Sequence, residues 1–275
     1  MTTRFLSLAG LVFVLAGCSN PSATPITPAP TPTVVAPAAT PDLPAAQPEI
    51  APTQDDASRE LPSSQNVEIP GAEGLTLIGV FYPSPSVPGP GVLLLHMYAG
   101  SRSDWQEFAR SLQGAGFAAL AIDLRGHGDT GGIEDWVLAR EDVAAACAWL
   151  GAHQGVDGNR LGLVGASIGA NLALVQGARE PSVDAIALLS PGFDYFRVQI
   201  QGLIEEYGDR PSLLVASEED AYSAETVRVL STTAPGEAEL LMLTSAGHGT
   251  AMLEGDPELA GRLIAFLARS LQSEP

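Results

Sequence analysis

Lysine is missing from this chain: all 13 basic residues are arginine, and they face 32 acidic residues for a formal net charge of −19. A surface so acidic repels phosphate backbones and anionic headgroups, which argues against nucleic acid or anionic lipid as a partner. Cysteine is scarce, with only Cys18 and Cys147. No clustered His/Cys spacing suits zinc and no Gly-Lys-Ser/Thr loop suits a nucleotide phosphate, so the sequence asks for no metal and no organic cofactor. The N-terminal apolar run, 5–16, is shorter than the roughly 20 residues of a permanent bilayer-spanning helix.

That run follows Arg4 and ends in Leu15-Ala16-Gly17-Cys18, which resembles a bacterial lipobox. The resemblance implies cleavage of 1–18 before an acylated Cys18, whose chains, at about 0.8 kcal/mol per buried methylene, would hold the protein on a membrane. An ordinary cleaved signal peptide with a chance cysteine is the alternative. Residues 19–64 are Pro, Ala and Thr with almost no large apolar side chains, so they cannot bury enough surface to offset their ordering entropy. They read as a tether, reaching on the order of 140 Å if extended at about 3.1 Å per residue. With Cys18 acylated, Cys147 has no disulfide partner, and the folded part must rely on its core.

Residues 65–275 have the length of one sizeable domain. Short apolar runs at 67–70, 75–82, 91–96, 118–123, 161–166, 185–190, 213–217 and 239–244 read as strands, the first two joined by a hairpin at 71–74. Helical spacing of aliphatics covers 103–114, 134–153, 168–179, 224–232 and 257–271, with Asp104 and Asp256 as expected caps. Such alternation predicts an α/β fold with a mostly parallel, helix-flanked sheet.

The most informative segment is Leu161-Gly-Leu-Val-Gly-Ala-Ser-Ile-Gly169, in which one serine stands where a buried strand turns sharply into a helix. Gly165 and Gly169 give Ser167 the room such a strained turn needs. Further on, Ser217-Glu218-Glu219-Asp220 ends a strand, and His248 lies in the Gly-rich loop after the last strand. In this order of serine, acid and histidine the chain resembles the α/β-hydrolase superfamily, across 67–271. The resemblance implies a single α/β-hydrolase domain with an eight-stranded sheet and a minimal lid or none. It makes Ser167 the nucleophile, His248 the base and Asp220 the acid, with Glu218 and Glu219 as alternative carboxylates. His96-Met97-Tyr98-Ala99-Gly100 stands where the superfamily keeps its oxyanion loop, although Met97 replaces the usual glycine. By position the backbone N–H groups of Tyr98 and Ile168 become the oxyanion donors, and the Tyr98 ring a pocket wall.

His127, in Asp123-Leu-Arg-Gly-His-Gly128, matches a loop that is mainly structural in the superfamily, and His153 is expected to face solvent. The segment 191–210 is expected to give one helix and an aromatic edge from Phe193, Tyr195, Phe196 and Tyr207, leaving an open site for accessible acyl groups. Trp105 and Trp136 read equally as pocket walls or helix packing. The function expected is a lipid-anchored, extracytoplasmic serine esterase of the dienelactone-hydrolase-like branch acting on a small acyl ester. A peptidase or acyltransferase using the same three residues, and a non-catalytic binding lipoprotein, are the alternatives.

Overall fold

Strand and helix alternate because the apolar residues do. The computed structural model describes residues 60–271; Cys18, the 1–18 signal and the tether up to residue 59 lie outside them. The strands are β1 (Gln65–Pro70), β2 (Thr76–Tyr82), β3 (Gly89–Leu95), β4 (Ala118–Ile122), β5 (Val156–Ala166), β6 (Val183–Leu189), β7 (Asp194–Tyr195), β8 (Val198–Gln199), β9 (Ser212–Ser217) and β10 (Ala238–Leu243). The helices are α1 (Gln106–Gly114), α2 (Trp136–Ala152), α3 (Ile168–Arg179), α4 (Leu203–Tyr207), α5 (Ala221–Thr233), α6 (Met252–Gly255) and α7 (Leu259–Ser270).

Eight strands form one sheet in the order β1-β2-β4-β3-β5-β6-β9-β10. β1 and β2 pair antiparallel, as do β2 and β4, and the other pairs are parallel. The central strands are buried on both faces, so they read as continuous apolar runs. Alternate residues nonetheless serve different cores. Leu93, Leu95, Leu163, Ile186, Leu188 and Leu214 face α2, α3, α4 and α5. Val92, Leu94, Val164, Leu189, Leu213 and Val215 face α1 and α7. Each such side chain, fully removed from water, stabilises by about 1.5–3 kcal/mol. Cys147 is buried among them, and its burial pushes the thiol up to about 11, so it stays a neutral apolar filler.

Several expectations need correcting. The N-cap of the helical turn at Arg102–Trp105 is Ser101, and Asp104 is its capping-box partner three residues on. His153 is half-buried and not fully solvent-facing: its ring packs against Phe81 at 4.2 Å, and Nδ1 accepts the Gly155 N–H at 3.1 Å. Segment 191–210 contains the β7–β8 hairpin as well as a helix, and Ile204 and Tyr207 of that helix belong to the core. No helix among the described residues is long and apolar enough to cross a membrane.

Candidate active site

β5 ends at Ala166, α3 begins at Ile168, and Ser167 makes the turn alone, with φ 54° and ψ −119°. A residue with a Cβ is held at positive φ only where its surroundings enforce it, at a cost of order 1–3 kcal/mol. Two close approaches enforce it here. A Cβ on Gly165 would stand 2.2 Å from the Gly169 carbonyl oxygen, and one on Gly169 would stand 2.3 Å from that of Leu95 on β3. The glycines let the helix start press against both strands. Ser167 N–H is tied to the Leu189 carbonyl at 2.8 Å, and the side chain is left at the open end of the sheet.

Asp220 follows β9 and is the N-cap of α5. Its Oδ1 accepts the Ser223 N–H at 3.4 Å, while Oδ2 stands 2.6 Å from His248 Nδ1. Burial pushes the Asp220 carboxyl up, but hydrogen bonds from His248 and Ser223 outweigh it and leave the group below its ordinary value. The neighbouring Glu219 has another task. Its two oxygens accept the N–H groups of Ser245 and Gly247 at 2.9 and 3.0 Å, and its carboxyl is lowered to about 2, first by the nearby Ser217 hydroxyl and then by the Gly247 amide. Of the three adjacent carboxylates, Asp220 meets the imidazole and Glu219 carries the loop before it.

The loop after β3 is fixed by His96, which is fully buried. Its Nε2 accepts the Leu124 N–H at 2.9 Å, so the proton resides on Nδ1, which donates to the Met97 carbonyl at 2.7 Å. Burial lowers this imidazole's pKa and keeps it neutral. Gly100 N–H reaches the same carbonyl at 3.0 Å. In a trans peptide the N–H of Tyr98 points opposite to that carbonyl, away from His96. Ile168 N–H opens α3, where first-turn amides have no partner within the helix and the dipole favours negative charge.

The Tyr98 ring belongs to an aromatic rim, 4.7 Å from Phe196 and 5.7 Å from His127, and Trp136 stacks on Phe196 at 5.2 Å. Trp136 therefore lines the rim, whereas Trp105 is wholly buried in the α1/α7 core. His127 Nδ1 lies 3.0 Å from the Arg125 carbonyl, and the Arg125 guanidinium grips buried Asp142 through two nitrogens at 2.7 and 2.9 Å. That geometry ties the loop to α2. A cleft of about 630 Å³ opens beside Met97 and Thr250, and Glu107, Phe108, Leu253 and Glu254 also line it.

The sequence did not single out Asn171, and it placed Tyr195 only in an aromatic edge. Asn171, one turn along α3 from Ser167, donates from Nδ2 to the carbonyls of Gly192 and Val198 at 2.7 and 2.8 Å and accepts the Gly192 N–H at 3.1 Å. The segment it holds carries Tyr195, whose ring stands edge-on to His248 at 6.3 Å. The Tyr195 hydroxyl is 3.2 Å from Ser223 Oγ, and burial raises its pKa although the Ser223 and Ser167 hydroxyls both act on it. Among the described residues no group of three or more His, Cys, Asp or Glu side chains is arranged to hold a metal ion.

Solved structures share this architecture. The dienelactone hydrolase of Anabaena variabilis has TM-score 0.65 and 21% identity over 78% of this chain and 100% of its own. A Pyrococcus furiosus esterase has TM-score 0.64 and 19% identity over 76% and 92%. An uncharacterized protein of Mycobacterium tuberculosis is 35% identical over 136 residues, 49% of this chain and 48% of its own. The chain thus spans about half the length of this curated relative. Residues 88–235, which include Ser167 and Asp220, match the family described as serine aminopeptidase, S33. The chain belongs to that family and has the α/β-hydrolase fold.

Proposed function

We propose that the protein cleaves carboxylic esters through a Ser167–His248–Asp220 triad and an acyl-enzyme. The observation that carries this reading is the 2.6 Å contact between His248 Nδ1 and Asp220 Oδ2, made on a fold that sets Ser167 on a strained strand-to-helix turn. A serine hydroxyl attacks slowly until a base removes its proton, and His248 Nε2 is the nitrogen left for that task. Asp220 holds the imidazole in the tautomer with its proton on Nδ1 and stabilises the cation that forms. The N–H groups of Tyr98 and Ile168 receive the developing oxyanion, each donor lowering the barrier by about 3–4 kcal/mol. His248 then protonates the leaving oxygen, and water repeats the cycle on the acyl-enzyme.

The short 191–210 segment leaves the site open, which suits small or accessible acyl groups. Hydrolysis of a p-nitrophenyl ester series by residues 60–275, with Ser167→Ala and His248→Ala as controls, tests the reading. Activity lost in both variants supports it, while an inactive wild type that no fluorophosphonate labels removes it. The family's description favours a second reading, release of N-terminal amino acids, and Glu107 and Glu254 in the adjoining cleft suit an α-ammonium group. Aminoacyl p-nitroanilides in the same assay separate the two. The lipobox at Cys18 supports a lipid-anchored, extracytoplasmic location, with the tether carrying the enzyme off the membrane. Palmitate labelling that disappears in Cys18→Ser checks that.

A further inference from the structure

Tyr195 reaches the site from the side opposite the oxyanion amides. Tyr98 follows β3 and Ile168 follows β5, whereas Tyr195 follows β6, the other neighbour of β5. Asp220 and His248 come from β9 and β10 on that same side. When Ser167 attacks, the leaving oxygen must face the imidazole that will protonate it, and that is the side on which the Tyr195 ring stands edge-on to His248.

Ser223 Oγ stands 3.2 Å from the Tyr195 hydroxyl and can accept a hydrogen bond from it. A phenolic O–H lies in the ring plane in one of two orientations, so a proton that rests on Ser223 can turn into the site.

We propose that the Tyr195 phenol is a catalytic hydrogen-bond donor to the leaving-group oxygen, with Ser223 as its resting partner. The role rests on the esterase reading above. In the step itself the bond from Ser167 Oγ to the acyl carbon forms and the bond from that carbon to the leaving oxygen breaks. The proton taken from Ser167 passes through His248 Nε2 to the leaving oxygen. Tyr195 keeps its proton throughout and lends only a hydrogen bond, as a phenol that burial holds neutral can do.

The scaffold positions this hydroxyl firmly. Phe196 and Arg197 turn the β7–β8 hairpin with φ of 52° and 67°, and the Asp194 carboxylate accepts the Arg197 N–H at 2.7 Å. Gly192 lets Tyr195 and Tyr222 close over it, since a Cβ there would lie 2.6 Å from both rings.

A donor to the leaving group matters most when that group is a poor one. The test compares Tyr195→Phe with wild type on the ethyl and p-nitrophenyl esters of one acid, chosen as the acyl chain that wild type handles best. We expect the loss in kcat/KM on the ethyl ester to exceed that on the p-nitrophenyl ester by about tenfold or more, because p-nitrophenolate departs without help. A merely structural tyrosine would slow both alike, and equal losses, or none on either ester, overturn the proposal. A wild type inactive on both takes away the esterase reading, and this role with it.

Discussion

Glu219 accepts the Gly247 N–H at 3.0 Å, and the next residue of each, Asp220 and His248, also meet. Two successive carboxylates thus grip two successive residues of one loop, the first by its backbone and the second by its ring. Glu219 has its carboxyl lowered to about 2, so the folded loop favours the ionised form. The stability it contributes is present above the ordinary carboxylate range and is lost as pH falls toward 2. The thermal midpoint of wild type should exceed that of Glu219→Gln at pH 6, with the gap closing between about pH 4.5 and 2. A gap that does not change with pH would contradict this.

Asp220 serves two structures at once, and one substitution should separate them. Asparagine caps helices as well as aspartate does, so Asp220→Asn keeps the α5 cap and the melting temperature within about 3 °C of wild type. It can neither fix the neutral imidazole with its proton on Nδ1 nor stabilise the cation that forms, and kcat on a p-nitrophenyl ester should fall about 10³–10⁴-fold. A large loss of stability with modest loss of rate would instead make the cap its main role.

Asn171→Ala strands three buried backbone groups of 192–198 and should destabilise the domain by about 2–4 kcal/mol in urea unfolding. The rate should fall as well, through Tyr195, although Asn171 touches no reacting atom. Unchanged stability would mean that water satisfies those groups.

Gly169→Ala has no space: the new methyl would lie 2.3 Å from the Leu95 carbonyl oxygen and 2.6 Å from that of His96. Both are backbone atoms of the central sheet and its exit loop and cannot swing aside. A loss of about 3 kcal/mol or more is expected, seen as insoluble protein or a much lower denaturant midpoint.

The sheet was legible because each buried strand is a short apolar run and each helix keeps its own spacing. Ser167 stood out because only glycines fit at 165 and 169, a requirement written locally. The capping of the first helical turn was misjudged because Ser101 and Asp104 act reciprocally, and either alone looks like a cap. Three adjacent carboxylates at 218–220 are chemically alike, and only the path of the chain between β9 and β10 decides which faces the imidazole. Asn171 and the partner of the Tyr195 hydroxyl were hidden for a stronger reason. The contacts span 21 to 28 residues, across a hairpin whose turn needs left-handed backbone at Phe196 and Arg197, residues that carry no turn signal.

Asn171 and Ser167 ride on the same helix start, so the hairpin bearing Tyr195, Phe196 and the adjoining rim is bolted to the piece that carries the nucleophile. For an engineer this makes residues 192–199 an exchangeable cassette. Its turn can be rewritten to suit a different ester while Asn171, Gly192 and Tyr195 are kept and preserve the alignment with the serine.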